Sequence, residues 1–232
     1  MAINNYYQEN SAYLESNPSW HIEDSPWKAK QILKMIKKNS LQINSIAEIG
    51  CGAGEILNQL QTSLPENVLF TGFDISPDAI KMAQKRKSQR VSFKQEDMIK
   101  SREFFDLLLM IDVFEHVEDY MGFLRSCKDK SEYKLFHIPL DASMFMIFRN
   151  KLLTMRKSVG HLHYFMKDTA LATLSDTGYE IVDHFYTSII LDIPRKSIKS
   201  KMGYMPRRLL SLMSEDFAAK TIGGFSLMVL AK

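Results

Sequence analysis

The amino-acid sequence predicts an α/β fold built on a doubly wound, mostly parallel sheet. An apolar stretch at residues 46–49 runs into a glycine-rich turn at residues 50–54, and a helical pattern follows. Strand-like and helical segments then alternate as far as residue 139, which is typical of parallel sheets with helices on both faces. Asp74 and Asp97 fall just past the ends of two predicted strands, and sheets of this kind bind ligands at that edge.

Each element has its own local signal. Ser25-Pro26 predicts a helix start, with serine as N-cap and proline at the first helical position. Ser76-Pro77 predicts a second one, and Gly178 is a typical helix end. Residues 105–111 (FDLLLMI) are the most apolar strand and are expected at the centre of the sheet. The predicted strands are residues 46–49, 68–73, 91–94, 105–111, 133–138, 179–186 and 225–231, and the later predicted helices are about 119–128, 167–177 and 207–218.

Composition excludes several classes of protein. The chain has 232 residues, of which 45% are hydrophobic and 25% charged, so a normal core is expected. Two cysteines are too few for a disulfide framework or a cysteine metal cluster. The polar beginning and the lack of a long apolar run predict a cytoplasmic protein.

The glycine turn is compatible with two classes of ligand. A dinucleotide site requires Gly-x-Gly-x-x-Gly. The spacing here is Gly-x-Gly-x-Gly, at Gly50, Gly52 and Gly54. Glu48 and Glu55 place carboxylates on both sides of the turn, which is unfavourable for a pyrophosphate and favours a cationic ligand. Asp74 could hold ribose hydroxyls in either case.

Several motifs in this order resemble the class I S-adenosyl-L-methionine (SAM) methyltransferases. They are E-x-G-C-G-x-G at residues 48–54, an acid closing the second strand, an acid after the third, and a closing hairpin. DVFEHV at 112–117 and GHLHYF at 160–165 are similar to the small-molecule branch that includes ubiquinone-biosynthesis O-methyltransferases. The resemblance covers about residues 25–187 and 223–232.

The resemblance implies a Rossmann-like, seven-stranded sheet of strand order 3-2-1-4-5-7-6 with an antiparallel last strand. It implies a single methyltransferase domain over residues 1–232. Residues 1–40 would form an N-terminal arm and a cap helix, and residues 140–165 and 188–222 would be insertions over the substrate side.

The resemblance also implies how the cofactor SAM, with S-adenosylhomocysteine as product, would be held. The glycines would let the backbone approach the methionine part, and Glu48 would orient the turn or meet the ammonium. Asp74 would accept from the ribose hydroxyls, and Asp97 from the adenine amine, with Glu96 as the alternative. Trp27 would either cover the cofactor or pack in the core. The residues implied to bind SAM are Glu48, Gly50, Gly52, Gly54, Asp74, Ile75, Asp97, Met98, Ile111 and Trp27.

Two side-chain sets are candidates for the chemistry. Asp112, Glu115 and His116 have the spacing i, i+3, i+4. By resemblance they either hold a divalent metal or pack and cap the next helix, and we predict no metal. His116, His161 and His163 are candidate general bases for an oxygen acceptor, since a free imidazole is largely neutral at pH 7, and a structural role is the alternative. His161 and His163 would point the same way in an extended stretch.

Two runs of basic residues, both without acids, lie in the predicted insertions. They are Arg149, Lys151, Arg156 and Lys157, and Arg195, Lys196, Lys199, Lys201, Arg207 and Arg208. We expect them to rim the substrate side and to favour an anionic acceptor, either a phosphorylated or nucleotide-linked sugar or a lipid-carried intermediate. MFMIF at 144–148 is expected to touch a membrane surface or an isoprenoid tail. The alternative is a lid whose apolar face covers the sheet.

The sequence therefore predicts a SAM-dependent methyltransferase acting on an oxygen of a small, anionic, sugar- or lipid-linked molecule. The alternatives are a methyltransferase for protein or RNA, and an NAD-dependent oxidoreductase. A nucleic-acid partner is disfavoured, since no stacking platform or RNA motif accompanies the basic runs. The oligomeric state is left open.

Overall fold

The computed structural model describes residues 19–20, 22–193 and 198–232, with backbone alone for 198–203. The predicted arm before residue 19, and Arg195 and Lys196 of the second basic run, lie outside the described residues. The strands are β1 Ser45–Ile49, β2 Leu69–Asp74, β3 Val91–Gln95, β4 Phe105–Ile111, β5 Ser131–Pro139, β6 Ile181–Thr187 and β7 Ser226–Ala231. The α-helices are α1 Ser25–Lys38, α2 Glu55–Gln61, α3 Pro77–Ala83, α4 Tyr120–Cys127, α5 Met144–Phe148, α6 Leu152–Ser158, α7 Lys167–Asp176, α8 Ile189–Asp192, α9 Ile198–Met213 and α10 Glu215–Thr221.

The seven strands form one sheet of order β3-β2-β1-β4-β5-β7-β6, which confirms the predicted fold class. Strands β1 to β5 pair in parallel, and β7 pairs antiparallel with both β5 and β6. All five parallel strands therefore end at the same edge, and ligand-binding residues collect there.

The core lies on both faces of the sheet. Strand β4 is apolar throughout because its two faces are covered by different helices. Leu107 and Leu109 pack with α1, α2 and α3 on one face, while Leu108 and Met110 pack with α4, α7 and α10 on the other. This alternation follows from the period of two along a strand.

Two predicted helix boundaries are wrong. Helix α1 begins at Ser25, and Asp24 rather than Ser25 occupies the N-cap position. The helix predicted at 207–218 is two helices, because the Ser214 side chain accepts from the Phe217 amide and starts α10. Pro206, which we expected outside a helix, lies inside α9.

In the part of the chain that the structure describes, no helix has the length and apolarity needed to cross a bilayer.

Candidate active site

A cavity of about 1110 Å³ opens where the parallel strands end. Its wall includes the last residues of β1, β2 and β4 and the segment after β3, together with residues of α6 and the loop that follows it. Ligand pockets in proteins are commonly about 300–1,000 Å³. This cavity therefore has room for a nucleotide-sized ligand and a second small molecule.

The glycine turn forms one wall of the cavity. Gly50, Gly52 and Gly54 have φ of 67°, 53° and 76°, the left-handed region that a side chain disfavours. A Cβ on Gly54 would lie 2.5 Å from Cζ of Phe93, and one on Gly52 would lie 3.6 Å from the Trp20 ring. Gly54 thus permits close packing with β3, and Trp20 lies over the turn.

Glu48 lies beneath the turn and is only 2% exposed. Its Oε2 is buried and accepts no hydrogen bond from a described residue, yet the side chain lines the cavity. Burial raises the pKa of this carboxyl well above its usual range. A buried acceptor that faces a cavity without a donor is suited to a cation or donor on a ligand.

Asp74 is the last residue of β2, and it connects this strand to the glycine turn and to the start of α3. Its Oδ2 accepts from the Gly52 amide at 2.9 Å, and its Oδ1 accepts from the Ser76 amide at 2.8 Å. Burial raises its pKa, and these two bonds oppose the rise. Asp74 therefore acts as a turn cap, and each carboxylate oxygen retains a further lone pair on the cavity wall. Ile75 beside it is exposed and also lines the cavity.

The segment after β3 supplies the next part of the wall. Asp97 accepts from the Ile99 amide at 3.1 Å and caps a short 3-10 helix, Met98–Lys100. Met98 is buried. Glu96 and Asp97 both line the cavity, so either acid can meet a ligand there. Ile111, the last residue of β4, lines it as well.

Asp112 follows β4 and has φ of 54°. Its carboxylate contacts one lysine and one histidine. Its carboxylate lies 2.7 Å from Nζ of Lys28 and 2.6 Å from Nδ1 of His137. His137 in turn meets the Thr187 hydroxyl through Nε2 at 2.9 Å. Burial opposes ionisation of Asp112, but His137 and Lys28 outweigh it and hold the pKa far below its usual range. These contacts connect α1, β5 and β6 to the end of β4.

Trp27 is packed rather than placed over the cavity. Its ring meets the His137 ring edge-on at 5.8 Å between centroids, and its Nε1 donates to Asp192 at 2.8 Å. It does not line the cavity, whereas Trp20 does. No local pattern in the sequence indicates which of the two tryptophans lines the cavity.

The structure brings Glu115 and His116 together with His161, and not with Asp112. One ligand atom from each of these three residues lies within 4.8 Å of the others. Glu115 is fully buried, and neither carboxylate oxygen accepts a hydrogen bond from a described residue. Burial, reinforced by the Asp112 charge, raises its pKa well above the usual range. Asp112 is engaged by Lys28 and His137 instead.

The two later histidines have different surroundings. His161 lines the cavity, and its Nδ1 lies 2.5 Å from Oδ2 of Asp141. His163 donates through Nε2 to the Val117 carbonyl at 2.9 Å. Asp141 was not among the predicted site residues. Its position two residues after the end of β5, like that of the other acids at this edge, was the available signal.

The cavity wall is strongly acidic. Among the described residues, no lysine or arginine lines it. The acids on the wall are Asp24, Glu48, Glu55, Asp74, Glu96, Asp97, Asp112, Glu118 and Asp119.

Two of the arginines expected to rim the substrate side have other roles. Arg207 donates through Nε to the Gly223 carbonyl at 2.8 Å, and Arg208 donates to the Tyr204 hydroxyl at 2.7 Å. Neither lines the cavity, because their partners lie in the second insertion and in the turn before β7. The side chains of Lys199 and Lys201 lie outside the described residues.

Comparison with known proteins gives one family. The model of a family described as "Methyltransferase domain" matches residues 20–184. The chain is 28% identical over 103 residues to a ubiquinone biosynthesis O-methyltransferase of Actinobacillus pleuropneumoniae, covering 40% of this chain and 43% of that protein. It is 34% identical over 92 residues to the protein of that name from Methylobacterium nodulans, covering 37% and 36%. The chain thus matches less than half the length of these relatives.

Solved structures share the fold at low sequence identity. A chain from the complex of the Haloferax volcanii Trm112 methyltransferase activator and a putative methyltransferase has a TM-score of 0.66 and 11% identity, with 100% of this chain and 96% of that chain covered. The magnesium protoporphyrin IX methyltransferase of Synechocystis, with bound S-adenosylhomocysteine, has a TM-score of 0.60 and 13% identity, with 89% and 82% covered.

Proposed function

Because the chain belongs to the methyltransferase domain family, we propose that it is a SAM-dependent methyltransferase for the hydroxyl oxygen of a small molecule. One observation carries the proposal. The same cavity is lined by the glycine turn with Glu48 and Asp74 and by His161, whose ring is oriented by Asp141. A cofactor site and a proton acceptor therefore open into one space.

The wall suits SAM better than a dinucleotide. SAM carries a positive sulfonium and an ammonium, and the buried oxygen of Glu48 is an acceptor without a donor. Asp74 would hold the ribose, Asp97 or Glu96 the adenine amine, and Gly50 and its neighbours in the turn the methionine part. A pyrophosphate would meet these same carboxylates with no lysine or arginine among the described wall residues to offset them. The oxidoreductase alternative is disfavoured on this ground.

His161 is the proposed general base. When bound, SAM supplies a methyl group on a positively charged sulfur, so the donor needs no activation by the protein. An ionised carboxylate only accepts hydrogen bonds, so Asp141 fixes the proton of His161 on Nδ1 and leaves Nε2 to take the acceptor's hydroxyl proton. A positioned base of this kind is worth roughly 10²–10⁴-fold in rate.

The rest of the wall supports a choice between the candidate acceptors. Phe123, Met155 and Val159 add apolar surface to the cavity wall, and the acidic residues of that wall disfavour a phosphate inside the cavity. We therefore favour a lipid-linked acceptor over a nucleotide-linked sugar. Its apolar, hydroxylated head would enter the cavity, and any anionic group would stay outside, near the exposed Arg156 and Lys157. The names of the curated relatives, which are O-methyltransferases of ubiquinone biosynthesis, support this choice.

Calorimetry with SAM, S-adenosylhomocysteine and NAD tests the cofactor assignment. We expect SAM to bind and NAD not to bind. Glu48→Gln keeps the shape of the side chain but cannot supply the carboxylate that a bound ammonium would stabilise, and should weaken SAM binding by about tenfold or more, since hydrogen bonds to charged groups are worth about 1.5–3 kcal/mol. Glu66→Gln, which changes an exposed acid outside the cavity, is the matched control. Tighter binding of NAD than of SAM would refute the assignment.

A further inference from the structure

The first insertion carries apolar side chains that face solvent. Helix α5 is a single turn of helix, and four of its five residues are exposed and apolar: Met144, Phe145, Ile147 and Phe148. Phe148 is 78% exposed, and Leu153 at the start of α6 is 67% exposed. A helix that only covered the sheet would turn these side chains inward, so the alternative of a simple lid does not account for them.

Helix α9 also carries apolar side chains that face solvent. Met205, Leu209, Leu212 and Met213 are all exposed, and Met213 is 82% exposed. Their spacing of i, i+4, i+7 and i+8 places them on one face of the helix. Leu210 packs inward against the core, so the helix has a buried contact and a separate apolar stripe that points away from it.

These segments are neighbours in space. Helix α5 packs against α10, which follows α9 directly. A Cβ on Gly223, just after α10, would lie 2.5 Å from the Ser143 hydroxyl that caps α5. We call residues 144–157 and 205–213 the lid surface. Single exposed apolar residues are ordinary, whereas several of them on adjoining segments are typical of an interaction site.

The charges of the lid surface have one sign. Arg149, Lys151, Arg156 and Lys157 are exposed, and residues 142–157 contain no acid. Residues 205–213 contain two arginines and again no acid. The acids nearby begin α10, where Asp216 is held by Tyr186, Lys167 and Lys220. Protruding apolar side chains among basic ones complement a negatively charged surface with an apolar interior.

We propose that the lid surface docks on the face of an anionic lipid bilayer. Phe148, Leu153 and Leu212 would enter the headgroup region, and the basic side chains would meet lipid phosphates. The lid surface includes Met155 of the cavity wall, and Val159 and His161 of that wall follow it closely in the chain, so docking would bring the cavity beside the bilayer. The docking itself depends only on the lid surface, whereas its use in delivering a lipid-linked acceptor rests on the proposed function.

Sedimentation with vesicles tests the docking. We expect the full chain to bind phosphatidylcholine vesicles that contain phosphatidylglycerol, and to bind pure phosphatidylcholine far less. Phe148→Glu should lower the partition coefficient by about tenfold to hundredfold, because the insertion of one phenylalanine is lost. Arg156→Gln with Lys157→Gln should lower it by roughly 25-fold, at about fivefold for each basic residue.

Matched controls separate docking from general charge or hydrophobicity. Phe104→Glu removes another exposed phenylalanine, one that lies outside the lid surface. Lys85→Gln with Lys87→Gln removes two exposed charges near α3. Both controls should bind vesicles as the parent chain does. Equal binding to neutral and anionic vesicles, or no binding to either, would overturn the proposal.

Two further outcomes are distinguishable. Dimerisation in light scattering that Phe148→Glu abolishes would assign the lid surface to a second copy of the chain and overturn membrane docking. SAM calorimetry on Phe148→Glu should match that of the parent chain. Vesicle binding by a chain that does not bind SAM would refute the proposed function and leave the docking intact.

Discussion

The Gly54→Ala substitution tests the geometry on which the cofactor wall depends. Gly54 has φ of 76°, and an L-residue in this region costs roughly 1–2 kcal/mol. The new Cβ would also lie 2.5 Å from Cζ of Phe93 and 3.2 Å from Cβ of Ala83. Phe93 is a buried core residue, so its ring can move only by disturbing its neighbours, at about 1–3 kcal/mol for overpacking. Together these costs predict a loss of about 2–5 kcal/mol in the free energy of unfolding.

Gly52→Ala is the matched comparison. Gly52 has φ of 53°, but its Cβ would lie at an ordinary 3.6 Å from the Trp20 ring. Only the conformational cost of about 1–2 kcal/mol is expected there. Urea unfolding monitored by circular dichroism measures both losses, provided that the variants and the parent chain have equal m-values. Equal losses in the two variants would refute the packing argument, and no loss in Gly54→Ala would refute the turn geometry itself.

Two further predictions concern pH and use the same unfolding assay. Asp112 has a lowered pKa in the folded state, so it stabilises the fold above its unfolded pKa of about 3.9, and this contribution is lost as the pH falls below that value. Asp112→Asn should lower the free energy of unfolding at pH 7 by about 3 kcal/mol, because it leaves Lys28 without its partner. The variant should lose less further stability between pH 5 and pH 2 than the parent chain, and equal losses over this range would contradict the prediction. Glu115 has a raised pKa, so the parent chain loses stability as the pH rises from about 4.3 through the folded value. Glu115→Gln should therefore be the more stable protein at pH 8, with an advantage that shrinks towards pH 5, and an advantage that grew on acidification would contradict the assignment.

The sheet could be predicted because its signals are local. Residues 105–111 are apolar on both faces, which places β4 at the centre, and the glycine turn marks the end of β1. The helix predicted at 207–218 failed for a local reason too. Helix α9 begins before Pro206 and accommodates it, and Ser214 is the N-cap of a second helix.

Much of the site depends on contacts between distant parts of the chain. His161 meets Asp141 across 20 residues, and it meets His116 through the return of the loop after α6. Trp20 lies close to Gly52 of the turn, although the two residues are 32 positions apart in the chain. No periodicity in the sequence reports such pairings. The acids after strand ends could be predicted, whereas their partners could not.

The most direct test of the central claim is methyl transfer from methyl-labelled SAM to a phenol with an isoprenoid tail, measured for the parent chain and for Asp141→Asn. An asparagine can donate as well as accept, so it no longer fixes the proton of His161 on Nδ1. We predict that Asp141→Asn slows turnover by about 10²-fold or more while the affinity for SAM is unchanged. His163→Gln, which alters the histidine bound to the backbone, should stay near the rate of the parent chain. No transfer by the parent chain, or equal rates in the parent chain and Asp141→Asn, would contradict the account.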